Sequence, residues 1–227
     1  MPTILYQDSL LLVVNKPAAM PAQADKTGNP SVLEWAEAEC GQSLHPVHRL
    51  DRPSSGVLLL AKTKEAMTLL QQQFQTHSIE KTYLAVVATA PPDPEGTLVH
   101  FLQKNSAKNR AFALADNRPG AQRAEMNYRL LGSSERYHLL EIRLITGRHH
   151  QIRAQLSAIS CPIKGDVKYG ARRGNRDRSI HLHAWKIAFE HPGSGEWMTF
   201  VAEVPEGDPV WAAFEPYSSY DLESQDE

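Results

Sequence analysis

Residues 45–62 read HPVHRLDRPSSGVLLLAK and set one carboxylate, Asp51, between two cations, Arg49 and Arg52. An aspartate is ionised at neutral pH and can serve as a nucleophile, a proton acceptor or a hydrogen-bond acceptor. The flanking arginines would suit an anionic substrate. Pro53-Ser54-Ser55-Gly56 carries the chemistry of a tight turn, and the apolar VLLLA that follows would anchor that turn to a core. An isolated Asp-x-Pro segment also commonly bonds its own turn. The stretch is therefore either a tied-down surface turn or a nucleophile presented from a rigid scaffold.

Two other groups of residues could carry chemistry. His45, His48 and Asp51 recur every three residues, and His149-His150 and His181-Leu182-His183 add imidazoles. These are ligand types for a hydrolytic metal ion. Pro46 opposes a helix at His45, however, and so removes the common face that three-residue spacing needs. No metal is expected. Between Lys164 and Arg178 lie six cations, Lys164, Lys168, Arg172, Arg173, Arg176 and Arg178, against Asp166 and Asp177. Such a loop either meets phosphates or is a solvated charged face.

Rigid elements must position these side chains, and the sequence supplies them in irregular alternation. ILYQDSLLLVVNKP reads as two short strands around a Gln-Asp-Ser turn, with Pro17 closing the second. SVLEWAEAECG carries a capping box, Ser31 with Glu34, and a C-terminal Gly41, so a short helix is predicted. VLLLA suits a buried strand. Thr63 caps the next helix, in which Met67, Leu70 and Phe74 form the core stripe. TYLAVVA, AEMNYRLL, YHLLEIRLI and WMTFVAEV read as strands. RHHQIRAQLSAIS reads as a helix with Ile152, Leu156 and Ile159 on one face. Strands outnumber helices without regular alternation, which predicts an α+β domain rather than a doubly wound parallel sheet.

Composition excludes several classes. The 227 residues, 41% hydrophobic, can bury a real core, so wholesale disorder is excluded. The N-terminus lacks the pattern of a signal peptide, and no apolar run approaches membrane-spanning length. A cytoplasmic protein is expected. Cys40 and Cys161 form no CxxC pair and read as buried free thiols. The formal net charge of −2 hides an asymmetry, since Glu215, Asp221, Glu223, Asp226 and Glu227 leave the rest of the chain at +3. One domain over 1–214 and a flexible acidic tail over 215–227 is the economical division.

The full string HRLDRPSSGVLLLAK resembles the signature of the RluA-type pseudouridine synthases, in which an HRLD-x-x-[ST]-SG-x-x-x-x-AK segment carries the catalytic aspartate. VNKPAAMPAQ, KTYLAVV, GRHHQIRAQLSAISCPIKGDVKYG and IHLHAWKIAFEHP resemble further segments of that family. All five occur in the family's order, from Asn15 to Pro192. Departures are small: Gln155 stands where a histidine or aromatic is frequent, and Ser54 where threonine is usual.

The resemblance implies a pseudouridine synthase domain with a central, largely antiparallel mixed sheet flanked by helices and loops. It makes Asp51 the nucleophile, Tyr83 the aromatic against the target base and Arg153 the partner of the aspartate. Leu182 would line the uracil pocket, and Arg49 would enter the RNA helix where the base leaves. His48, Arg52, Gln151, Lys168, Arg172, Arg173 and Arg176 are the further expected RNA contacts. On its strand Tyr83 shares a face with Ala85 and Val87, which leaves room for a planar base. Arg153 follows Ile152 and is expected to flank the buried stripe and point out of the core at an anion. The implied partner is structured RNA, transfer or ribosomal, with no cofactor, no metal, no obligatory protein partner and a monomeric state. Because the resemblance begins almost at residue 4, an N-terminal RNA-binding domain of the S4 kind is not expected. An RNA-binding module without catalysis and a metal-dependent nucleic-acid hydrolase are the alternatives from other classes.

Overall fold

The computed structural model describes residues 1–214, and the acidic segment 215–227 expected as a tail lies outside the described residues. In chain order the elements are β1 (Thr3–Gln7), β2 (Leu11–Lys16), α1 (Val32–Cys40), β3 (His45–Pro46), β4 (Ser55–Ala61), α2 (Lys64–Thr76) and β5 (Glu80–Val87). There follow β6 (Glu95–Asn105), β7 (Arg110–Leu114), β8 (Ala121–Ser133), β9 (His138–Leu144), α3 (Gln151–Ala158), a 3₁₀ turn (Val167–Tyr169), β10 (Leu182–Glu190), β11 (Trp197–Val201) and α4 (Pro209–Ala212). The chain divides into two compact units, one of residues 1–83 and 175–203, the other of 84–174 with the described residues from 204 on. No helix among the described residues is long and apolar enough to cross a membrane.

The first unit is built on two apolar strands. Its strand order is β1-β2-β4-β10, with β11 on β10 and β3 on β4; only the β4–β10 pairing is parallel. Every residue of β4 is buried, because helices cover both of its faces. Val57, Leu59 and Ala61 join Leu11 and Val13 of β2 against Ala66 and Leu70 of α2. Leu58 and Leu60 join Leu12 and Val14 against Val32 and Ala36 of α1. Two faces to bury explains why LLVV and VLLLA are continuous apolar runs rather than alternations. Leu58, Leu59 and Leu60 are at most 1% exposed, and each contributes about 1.5–3 kcal/mol of burial.

The capping expectations hold. Ser31 and Glu34 make the reciprocal box, Gly41 ends α1 in the left-handed region, and the Thr63 hydroxyl accepts the Ala66 amide to start α2.

In the second unit the order is β9-β8-β6-β7, antiparallel throughout. One of its buried clusters sets Leu102 and three alanines, Ala111, Ala124 and Ala154, around Tyr169. Small side chains on β7, β8 and α3 let the helix lie close to the strands. The expected α+β class and the mixed, mostly antiparallel sheet are what the molecule has. Cys161 is buried as expected, but Cys40 is only half-buried at the end of α1.

Candidate active site

Asp51 lies between β3 and β4 in a turn closed by a hydrogen bond from the Ser54 amide to the Asp51 carbonyl, 3.1 Å. Leu50, the residue before it, is 5% exposed and anchors the chain in the core on the α1 side. The parallel pairing sets His183 opposite Ser55 and Ala184 opposite Gly56. Gly56 has φ +112°, and an added Cβ would lie 2.2 Å from the Ala184 carbonyl oxygen, so only glycine permits this approach. The Ile180 amide bonds the Pro53 carbonyl at 3.0 Å, and buried Leu182 follows at the start of β10. The Asp51 turn and Leu182 are thereby brought together.

His183 secures this junction. Its Nε2 donates to the Ala202 carbonyl at 3.0 Å, which leaves Nδ1 to accept the Ser55 hydroxyl at 2.8 Å. Burial pulls this imidazole down to about 4, so it is neutral at physiological pH.

Beneath the turn sits a cation that the sequence does not single out. Lys16, at the end of β2, is 0% exposed. Its Nζ donates to the carbonyls of Pro17 and Met20 at 2.9 Å each and of Arg52 at 3.3 Å. Three acceptors match the three donors of an ammonium. Burial drags its pKa to about 7, the Asp51 charge opposes that fall, and the Arg52 charge adds to it. Tyr83 is half-buried against the same core cluster. Burial first, and the Asp51 charge second, hold its phenol well above the usual value. Asp51 is thus close enough for its charge to act on both Lys16 and Tyr83.

Two residues expected on RNA are engaged inside the first unit. The Arg52 Nε donates to the Ala19 carbonyl at 2.9 Å, and Nη1 reaches Thr27 at 2.8 Å and Asp25 at 3.4 Å. It clasps the 17–27 loop onto the turn. The His48 Nε2 accepts the Leu59 amide at 3.0 Å and the ring stacks on Phe74 at 5.0 Å. Burial, helped by the Lys81 charge, lowers it to about 3, which keeps the imidazole neutral. Arg49 and Arg176 are exposed.

In the second unit, α3 departs from the amphipathic expectation, since every residue from Gln151 to Leu156 is buried. Arg153 does not sit at the edge of an apolar stripe. It is 5% exposed and forms a two-pronged ion pair with Asp166, Nε to Oδ2 at 2.6 Å and Nη2 to Oδ1 at 2.9 Å. Its guanidinium carbon lies 4.9 Å from the centroid of the buried Tyr169 ring. The Gln151 amide accepts from Thr146 Oγ1 at 2.8 Å and the Arg148 amide at 2.9 Å, and donates to the Glu125 carbonyl at 3.0 Å. Gln155 is fully buried and donates to the Leu98 carbonyl at 2.9 Å. Lys168 Nζ donates to the Asn109 carbonyl at 3.2 Å, while Arg172 and Arg173 are exposed.

The sequence reading missed Lys16, Asp166 and Tyr169. A lysine reads as a surface residue, and Asp166 counts there only as a charge within a basic loop. Their signal was the two motif segments that contain them, VNKPAAMPAQ and IKGDVKYG. Among the described residues no group of three or more His, Cys, Asp or Glu side chains is placed to hold a metal ion.

Comparison with known proteins gives a consistent result. The family described as RNA pseudouridylate synthase matches residues 10–158. The tRNA pseudouridine synthase C of Pasteurella multocida is 34% identical over 97% of this chain and 98% of its own length. The tRNA pseudouridine synthase C of Pectobacterium carotovorum is 37% identical over 88% of this chain, which spans only 58% of that relative. Human RNA Pseudouridylate Synthase Domain Containing 4 superposes with a TM-score of 0.72 at 26% identity, covering 96% of this chain and 92% of its own.

Proposed function

The chain belongs to the RNA pseudouridylate synthase family, and on that premise we propose that it isomerises specific uridines of structured RNA to pseudouridine with Asp51 as the nucleophile. The observation that carries the reading is the Asp51 turn, built over the buried ammonium of Lys16 and beside Tyr83. The names of the bacterial relatives favour transfer RNA over ribosomal RNA as the substrate class.

The reaction breaks the C1′–N1 bond, turns the uracil within the site and joins C5 to C1′. The proton that leaves C5 is balanced by one gained at N1, so no atom enters or leaves overall and no cofactor is called for. An ionised aspartate can add to the sugar or the base, or accept a ribose proton. Bond breaking puts negative charge on the uracil, which a nearby cation or hydrogen-bond donor stabilises; the resemblance makes Arg153 the partner of the aspartate. Leu182 supplies an apolar wall. The target base must leave the RNA stack at a cost of a few kcal/mol, and stacking on the Tyr83 ring returns about 1–3 kcal/mol. With Arg52 and Lys168 bonded to the protein's own carbonyls, the exposed Arg49, Arg172, Arg173 and Arg176 are the cations proposed for phosphate.

Asp51→Asn tests the reading. It preserves shape but removes charge and nucleophilicity, so RNA should still bind while tritium release from transfer RNA labelled at uridine C5 stops. Release at the parental rate would overturn the assignment. Parallel assays on unmodified transfer and ribosomal RNA decide the substrate class.

A further inference from the structure

We propose that Asp166 and Tyr169 are positioning residues that hold the Arg153 guanidinium in the orientation the reaction uses. The inference rests on the reading above, in which Arg153 serves the catalytic carboxylate. A guanidinium is planar, and two kinds of contact fix it completely. Asp166 grips one edge through Nε and Nη2, at 2.6 and 2.9 Å, which sets the direction in which the Nη1 edge points. Tyr169 covers one face at 4.9 Å and sets the tilt of the plane.

The local fold explains why these two side chains arrive together. Asp166 is the N-cap of the 3₁₀ turn and Tyr169 ends it. A single short turn, with Asp166 just before it and Tyr169 at its end, thus presents a carboxylate and a ring to the same arginine. The turn is itself pinned. The Asp166 carbonyl accepts the amides of Tyr169 and Ala171, each at 3.0 Å, and Gly170 takes φ +106° to close it. The Tyr169 hydroxyl accepts the Ala111 amide at 2.8 Å and bonds His150 Nδ1 at 2.9 Å, so the ring cannot rotate away. Arg110 lies over the same ring at 4.9 Å.

Energetics favour a positioning role over a purely stabilising one. Arg153 and Asp166 are 5% and 1% exposed, and removing two charges from water costs several kcal/mol per ion. Apolar residues of similar volume would stabilise α3 as well or better. What they could not supply is a charge with a fixed direction, which holds the catalytic carboxylate without reorganisation during the reaction.

The test compares full-length Asp166→Asn, Asp166→Glu and Tyr169→Leu with the parent. Single-turnover rates are taken at saturating transfer RNA, affinities in an Asp51→Asn background, and folding by thermal unfolding. Asp166→Asn should lower the saturated rate about a hundredfold, the penalty of misplacing a catalytic group by ~1 Å, with affinity changed by less than about threefold. Asp166→Glu restores the charge and should recover at least about a tenth of the parental rate. Tyr169→Leu leaves the ion pair intact and should still slow the saturated reaction; it decides the matter if Asp166→Asn does not fold. Folded Asp166→Asn and Tyr169→Leu proteins turning over within about twofold of the parent would overturn the proposal, as would rate losses that merely follow lost affinity or lost folded protein. Turnover by Asp51→Asn would instead sink the reading on which this one rests, so the two failures are distinguishable.

Discussion

Gly56 and Ala184 lie backbone to backbone across the parallel β4–β10 pairing, with 2.2 Å between a Cβ built on Gly56 and the Ala184 carbonyl oxygen. This contact joins the strand that follows Asp51 to the strand that begins with Leu182. Gly56→Ala must push the strands apart and also strain a residue at φ +112°. We expect it to cost about 3–5 kcal/mol or to prevent folding. Urea unfolding measures it, and a loss under about 1 kcal/mol would show that the junction adapts.

Lys16 gives a pH signature. Its value in the folded protein, about 7, lies below the 10.5 of the unfolded chain. Between those limits the unfolded chain binds more protons, so this residue makes stability rise with pH. Its penalty is full below about 7 and fades as pH approaches 10.5. Comparison of the parent with Lys16→Met by denaturant unfolding should show the parent gaining up to about 2 kcal/mol relative to the variant between roughly pH 7 and 9. Parallel curves would mean that the three carbonyls hold the ammonium at its ordinary value. Lys16→Met should also slow turnover, because the Arg52 carbonyl, one residue past Asp51, loses its tether.

Tyr83 separates ring from hydroxyl. Burial and Asp51 raise its phenol, so it stays neutral throughout the working range. Tyr83→Phe should therefore bind RNA as the parent does and give an alkaline rate profile of the same shape. Tyr83→Ala, which removes the stacking surface, should weaken binding by about 1–3 kcal/mol. A changed alkaline limb in Tyr83→Phe would show that the phenol titrates during turnover.

Arg172, Arg173 and Arg176 are exposed and should act on phosphate rather than on chemistry. Neutralising all three should flatten the slope of log K against log salt by up to about 0.7–0.9 per lost contact, while saturating RNA restores most of the rate. A parental salt slope would make the segment a solvated face and move RNA binding to other surfaces.

Local pattern explains what was legible in advance. The capping box at Ser31 and Glu34 and the buried runs of β2 and β4 depend on neighbours within a few residues and formed as read, whereas the turn expected at Pro53–Gly56 closes two residues earlier, from Asp51 to Ser54, and Ser55 and Gly56 already belong to β4. The α3 helix formed with Ile152 and Leu156 buried as read, but its opposite face did not stay wet as periodicity assumes. Here Gln151, Arg153 and Gln155 are as buried as Ile152 and Leu156, since each of these side chains donates to a partner distant in sequence, Glu125, Asp166 or Leu98.

Internal partners of charged and polar groups are equally illegible in the sequence. Arg52, His48 and Lys168, all expected on RNA, are each bonded to a backbone group remote in the chain. Lys16 looks exposed and is fully buried.

By itself the sequence determined which side chains the protein has for chemistry, the turn that presents Asp51 and the strands that anchor it, because motif, turn and periodicity are properties of adjacent residues. Only the tertiary structure decided which charges are bonded within the protein: Lys16 under the Asp51 turn, Arg52 on the 17–27 loop and Arg153 with Asp166. Burial and ion pairing depend on segments far apart in the chain meeting in space. Their energies, set by desolvation against partner geometry, exist only once those segments have met.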